Sequence, residues 1–112
     1  MSLCNLPEKT AEKLNSLVEA KPHQVVSMSL SKSENADITL LAFADGEDLS
    51  DEVYPRDTLY LVVEGSMSVV MQDGSVSVGA GEVLKVPAVN CPHFFGQFHA
   101  TIFFVRTSTG VR

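Results

Sequence analysis

From Gln24 onward the chain is a succession of short segments in which apolar and polar residues alternate, separated by turns rich in glycine and polar residues. A period of two is typical of strands that bury one face. The segments are QVVSMSLS, DITLLAFA, TLYLVVEG, SMSVVMQ, SVSVGAG, EVLKVP, HFFGQ and HATIFFVRT. The Asp73-Gly74 dipeptide is a strong hairpin signal, because both residues tolerate positive φ. About eight strands without an intervening helical pattern predict a closed or nearly closed antiparallel barrel or sandwich.

The segment before these strands has the pattern of one short α-helix. Asn5 is placed to cap it, with Glu8 three residues later as in a capping box, and Pro7 fits the first turn. Lys21 and Pro22 end the pattern. The apolar residues that share one face at helical spacing are Ala11, Leu14, Leu17 and Val18. We therefore expect a helix that lies across the sheet.

Size and composition set the class of protein. A chain of 112 residues is large enough for one domain, with a helix and lead-in over residues 1–23 and a barrel over 24–112. With 45% hydrophobic and 20% charged residues, it is expected to fold as a globular protein. The net charge of −6 and the scattering of the eight Lys and Arg argue against binding of nucleic acid.

The cysteines and the apolar runs indicate the compartment. No apolar run approaches the roughly 18 residues that a membrane span needs. The amino end has no apolar run ahead of Cys4, so no signal peptide is predicted. Cys4 and Cys91 are the two cysteines, and free thiols in a reduced cytoplasmic protein are the expectation.

Two runs are apolar at consecutive positions, Leu59 to Val63 and Ile102 to Val105. A strand that exposes one face to water does not have this composition, so something must cover the outer face of the sheet. One short helix can shield only part of it. The sequence therefore predicts a homodimer.

The first of two glycine-anchored segments carries a family resemblance. Gly46 is followed by five residues, Glu52, Val53, Tyr54, three residues, Thr58, six residues and Gly65. This spacing resembles the first motif of the cupin family, G-x5-H-x-H-x3–4-E-x6-G. The ending YLVVEG is also similar to the usual ending of that motif.

The second segment follows the predicted hairpin. Gly81 precedes Pro87 by the spacing of the second cupin motif, G-x5-P-x-G-x2-H-x3-N, and His93 follows with one residue more than usual. Val89 or Asn90 stands in place of the glycine, and Gln97 in place of the last Asn. The resemblance covers about residues 39 to 105. It implies an all-β antiparallel jelly-roll β-barrel with a short N-terminal α-helix.

The resemblance also implies where chemistry would lie. The family holds a metal through two His and one Glu of the first motif and one His of the second. By position, Glu52 and Tyr54 replace the two His, Thr58 replaces the Glu, and His93 persists. The residues expected to form a polar site inside the barrel are Glu52, Tyr54, Arg56, Thr58 and His93.

Three functions are compatible with these residues. The first is binding of a small molecule in the barrel without the metal tetrad. The second is a metal-dependent enzyme, similar to cupin dioxygenases or isomerases, with one divalent transition metal held by Glu52, Asp57 and His93. Asp57 faces inward only if Pro55 bulges the strand, since strict alternation from Glu52 leaves it outside. The third is a metal-free enzyme with His93 as general base and Tyr54 or Glu52 as acid.

Overall fold

Antiparallel strands make up most of the described chain. The computed structural model describes residues 2–32, 36–50, 57–72, 74–87 and 92–107. The strands in these residues are β1 (Ser2–Leu3), β2 (Val25–Ser29), β3 (Ser31–Lys32), β4 (Ala36–Phe43), β5 (Asp48–Ser50), β6 (Thr58–Met71), β7 (Gly74–Gly79), β8 (Val83–Val86) and β9 (His93–Thr107). The predicted all-β antiparallel jelly-roll fold is confirmed.

Two long strands, β6 with 14 residues and β9 with 15, pair along nearly their whole length and join two sheets. Sheet I consists of β2, β4, the second half of β9, the first half of β6, and β8. Sheet II consists of β5, the first half of β9, the second half of β6, and β7. Each long strand bends in the middle and contributes one half to each sheet, so the two sheets face each other across a shared core.

The bend in β6 and β9 depends on residues with left-handed backbone angles. Gly65 has φ +74°, and Phe98 and His99 on the paired strand have φ 59° and 53°. The pairing register shifts on both sides of Glu64, as at a β-bulge. Because the strands bend here without ending, each forms a single strand where the sequence pattern predicted two.

Side chains on the inner faces of the two sheets form the main core. Phe43, Val62 and Ile102 of sheet I meet Met67 and Val69 of sheet II. These five side chains are almost completely buried. Neighbours along each strand point to opposite sides, so residues two positions apart share this inner face.

The N-terminal segment covers part of the outer face of sheet I. Leu40 and Ala42 of β4 lie there and are buried against Leu14, Leu17 and Val18. The N-terminal segment therefore lies across the sheet as expected. Its helix is one turn of 3₁₀ helix, Leu14–Ser16, where the sequence pattern predicted an α-helix from Asn5 to Lys21.

The predicted Asn5 cap is wrong. Asn5 has φ 58°, and its side-chain amide donates to the carbonyl of Ser29 at 2.8 Å. Cys4 is held nearby, since its backbone N–H donates to the Leu30 carbonyl. Tertiary hydrogen bonds to the end of β2 thus replace the capping box, and a short helix has little stability of its own to oppose them.

Three smaller sequence predictions have defined outcomes. The predicted hairpin between β6 and β7 is confirmed, because the two strands pair antiparallel; Met71 lies opposite Gly74, so Gly74 begins β7 and is not a turn residue. Cys4 is a free thiol, whereas Cys91 lies outside the described residues. In the part of the chain that is described, no helix has the length and apolar character required to cross a membrane.

Replacing Gly65 by alanine tests the bend. A Cβ atom there would lie 2.6 Å from the Gln97 carbonyl oxygen and 2.9 Å from the Ala100 Cα. Gly46 is a matched control, because its φ is +82° and a Cβ would meet nothing within 4 Å. Gly46→Ala should lower the free energy of unfolding by about 1–2 kcal/mol through backbone strain alone. Gly65→Ala should cost about 1–3 kcal/mol more through the clash, measured by urea denaturation. Equal losses would contradict the close approach.

Candidate functional site

A charged side chain lies inside the barrel, at the end of sheet I where β6 begins. Arg106 of β9 is only 6% exposed. Its Nε donates to Thr58 Oγ1 at 2.9 Å, and its Nη2 donates to the Tyr60 hydroxyl at 3.3 Å. Thr58 and Tyr60 are themselves buried. We call Thr58, Tyr60 and Arg106 the Arg106 cluster.

Strand register brings the Arg106 cluster together. Thr58 and Arg106 are direct partners in the β6–β9 ladder, and Tyr60 is opposite Phe104. The two strands alternate in step, so Thr58, Tyr60, Phe104 and Arg106 all face the interior. The guanidinium carbon of Arg106 lies 5.0 Å from the centroid of the Phe104 ring. This is a cation–π arrangement, which favours a buried arginine beside an aromatic ring.

Aromatic rings connect the Arg106 cluster to the main core, to which Tyr60 and Phe94 belong. The Tyr60 ring lies 4.8 Å from the Phe94 ring and 5.8 Å from the Phe104 ring, centroid to centroid. Phe94 belongs to sheet II, so the contact between Tyr60 and Phe94 spans the two sheets. The interior at this end thus combines hydroxyl groups and a permanent positive charge with apolar walls.

Thr58 was expected inside the barrel from the motif spacing, whereas Arg106 was not predicted. The signal was present in the segment HATIFFVRT. Ile102 and Phe104 belong to the interior, and Arg106 follows them at the same period of two. An arginine at an inward-facing position of a strand is a polar group that must be hydrogen-bonded.

His93 does not face the interior as predicted. The next residue, Phe94, is buried in the core, whereas His93 stacks on the exposed Phe95 with ring centroids 4.4 Å apart. Its partner in the ladder is Val70, which is also on the exposed face of sheet II. The extra residue between Pro87 and His93 explains this, since a shift by one position moves a side chain to the other face of a sheet.

Polar neighbours hold His93 on that outer face. Its Nε2 lies 2.6 Å from Asp48 Oδ2, and its Nδ1 lies 3.2 Å from Ser50 Oγ. Asp48 and Ser50 both belong to β5, at the edge of sheet II. His93 is thus engaged by side chains outside the barrel.

Asp57 lies on the opposite side of the barrel from His93. Its carboxylate forms an ion pair with Lys85 at 3.6 Å, and both side chains are substantially exposed. Lys85 is the ladder partner of Leu59, on the outer face of sheet I. Because the barrel wall lies between Asp57 and His93, these two predicted ligands do not face one metal ion. Glu52, Tyr54, Pro55 and Arg56 lie outside the described residues.

The described side chains at the family's metal-ligand positions do not have the donors that a metal ion requires. Thr58 accepts a hydrogen bond from a guanidinium, and His93 faces outward. Within the described ranges, no group of three or more His, Cys, Asp or Glu side chains is placed to hold a metal ion. These donors do not fit a divalent transition metal, which requires several imidazoles or carboxylates to converge.

Known structures share this architecture. A cupin superfamily protein from Desulfitobacterium hafniense is 36% identical, with a TM-score of 0.92 over 96% of this chain and 98% of that one. An RmlC-like cupin from Desulfovibrio desulfuricans is 18% identical, with a TM-score of 0.77 over 91% and 99% of the two chains. KdgF from a Halomonas species is 12% identical, with a TM-score of 0.66 over 78% and 81%.

The similar structures differ in whether they show a shared fold or a shared family. The two less similar structures share the fold alone, since fold does not determine function. No protein-family model matches the sequence, and no curated protein does. The match to the Desulfitobacterium protein extends over nearly the whole of both chains. With its two bent strands, its two facing sheets and this relative, the chain belongs to the cupin superfamily.

Proposed function

We propose that the protein binds a small organic molecule inside the barrel, next to the Arg106 cluster, without the metal tetrad of its family. The observation that carries this proposal is the buried guanidinium of Arg106 bonded to two buried hydroxyl groups. Small-molecule sites typically combine apolar and aromatic walls with a few convergent polar groups. Phe94 and Phe104 supply such walls beside the polar groups.

The electrostatics of the Arg106 cluster favour an organic ligand over a metal ion. Thr58 occupies the position that corresponds to the glutamate ligand in the family motif. A guanidinium 2.9 Å from its hydroxyl brings a permanent positive charge to that position. A divalent cation bound nearby would be repelled, and a low local dielectric strengthens that repulsion. The ligand set Glu52, Asp57 and His93 of a metal-dependent enzyme gains no support from the outward-facing Asp57 and His93.

We also propose that the protein forms a homodimer through the outer face of sheet I. The N-terminal segment covers the β4 side of this face, but Leu59 and Val83 are 43% and 62% exposed. Leu59 lies directly opposite Val105 in the ladder, so the exposed side chains form a continuous apolar surface. Lys85 and Asp57 lie at its edge with opposite charges. A twofold axis would allow each charge to meet its opposite on the partner.

Ligand binding predicts a stabilisation that depends on the Arg106 cluster. A panel of small organic acids, alcohols and aromatic compounds should include at least one that raises the melting temperature of the purified protein. Tyr60→Phe removes one hydroxyl and keeps the ring. It should lower the affinity for that compound about fivefold to tenfold, which is the effect of one hydrogen bond of about 1–1.5 kcal/mol. Ser77→Ala, an exposed serine of β7, is the matched control and should bind normally. Equal affinity of all three proteins would place the ligand elsewhere.

Metal content gives a second, independent prediction. Untagged protein incubated with Fe²⁺, Mn²⁺, Ni²⁺ or Zn²⁺ and then desalted should retain far less than one ion per chain by elemental analysis. The physical reason is the guanidinium at the position of a family ligand. Near-stoichiometric metal that Thr58→Ala or His93→Ala removes would overturn the metal-free proposal.

The dimer prediction uses charge to disrupt the apolar surface. Leu59→Glu and Val83→Glu should each shift the protein toward the monomer, because an unpaired carboxylate would be buried at the interface. Phe98→Glu is the control, since Phe98 is 71% exposed at the strand bend and not on this surface. Light scattering coupled to size-exclusion chromatography measures the mass. A wild-type protein that elutes as a monomer would exclude the interface.

A further inference from the structure

A serine, a histidine and an aspartate form a continuous hydrogen-bonded chain on the outer face of sheet II. Ser50 Oγ lies 3.2 Å from His93 Nδ1, and His93 Nε2 lies 2.6 Å from Asp48 Oδ2. We propose that these residues form a nucleophilic site in which Ser50 accepts the acyl group of small carboxylic esters. The site lies outside the barrel on sheet II, whereas the Arg106 cluster lies inside it on sheet I, so the site does not depend on that cluster.

Strand pairing holds the three side chains in place. Ser50 and His93 are direct partners in the β5–β9 ladder, so their side chains share one face of the sheet. Asp48 lies two residues before Ser50 on the same strand and so points to that face as well. The imidazole stands between the carboxylate and the hydroxyl, and the Phe95 ring stacks against it nearly in parallel, with an interplanar angle of 8°. Sites built on strands keep such distances better than sites on loops.

The two contacts of His93 determine where its proton lies. A carboxylate is an acceptor only, so Asp48 favours the neutral tautomer that carries the proton on Nε2. Nδ1 is then unprotonated and accepts a hydrogen bond from the Ser50 hydroxyl. Nucleophile, base and orienting carboxylate thus stand in the order that activates a serine. In the usual triad Nε2 faces the serine and Nδ1 faces the carboxylate, and here the two nitrogens are exchanged. Either nitrogen of a neutral imidazole can accept the serine proton, so the chemistry is the same.

The surroundings of Ser50 indicate the class of substrate. Phe95 and Val70 are exposed on either side of His93, 40% and 38% respectively. They provide an apolar surface for a short acyl chain or an aromatic leaving group. Among the described residues, this face is exposed to solvent, so they leave room for the alcohol part of the ester. Small unhindered esters therefore fit this surface.

The reaction balances with water as the only co-reactant. Ser50 Oγ attacks the ester carbonyl carbon while its proton passes to His93 Nδ1. The tetrahedral intermediate then expels the alcohol, which takes that proton from His93, and an acyl-Ser50 ester remains. Water attacks the acyl group with His93 again as base, which releases the carboxylic acid and restores the hydroxyl. Water instead of buried donors stabilises the oxyanion on this open face, so we expect slow turnover.

Covalent labelling tests the site more directly than turnover. Diisopropyl fluorophosphate should give one adduct per chain by intact mass, and peptide mapping should place it on Ser50. Ser50→Ala should abolish the adduct, and His93→Gln should slow labelling by about a hundredfold or more. Asp48→Asn should also slow it, whereas Asp48→Glu should restore part of the rate, because Asp48 acts by positioning His93. Ser75→Ala removes an exposed serine of β7 and should label as the wild type.

Hydrolysis of 4-nitrophenyl acetate shows whether Ser50 or His93 is the nucleophile. Ser50→Ala should abolish the initial burst of 4-nitrophenol. It should also lower the steady-state rate to that of free imidazole at the same concentration. If Ser50→Ala retains the activity and His93→Gln loses it, His93 itself is the nucleophile and the proposal is wrong. An adduct on another residue, or no adduct, would also overturn it.

Discussion

The antiparallel pairing of β6 with β9 is the interaction on which the rest of the fold depends. These two strands form the centre of both sheets, and every other strand of the barrel pairs with one of them or with β4. Their bend is possible because Gly65 has no side chain at the point where the Gln97 carbonyl approaches. A substituent there would separate the strands at the corner. One glycine thus allows a single ladder to supply two facing sheets.

This shared ladder also decides which residues can act together. Successive side chains of β6 and β9 point alternately to the interior and to the outer face of the barrel, and the register determines which residues meet. On the inside it places Arg106 beside Thr58 and Tyr60. On the outside, the pairing of β9 with β5 places His93 next to Ser50 and close to Asp48. Two polar groups of very different chemistry therefore lie at different places on β9, one inside the barrel on sheet I and one on the outer face of sheet II.

Much of the fold could be predicted from the sequence, because alternation and glycine-anchored spacing are local signals. The hairpin before Gly74 and the inward position of Thr58 followed from them. The orientation of His93 could not be derived in the same way. The segment after Pro87 is one residue longer than in the family motif. Whether His93 then points inward or outward depends on the strand register, which is not visible in the sequence. The extent of the N-terminal helix depended likewise on tertiary contacts of Asn5 and Cys4, which have no local signature.

The interior shows how a cupin barrel can retain its architecture with different chemistry. The family motif expects an anionic ligand at the position of Thr58, which would balance a metal cation. Here the positive charge belongs to the protein itself, since Arg106 donates to that threonine. The guanidinium is held by the two hydroxyls and lies 5.0 Å from the Phe104 ring centroid, whereas a transition metal requires a full ligand set. The strands that carry the family's metal ligands therefore place a guanidinium at this position. Under the proposed function, a molecule bound there would be selected by its hydrogen-bonding groups and its fit to the aromatic walls, without coordination to a metal.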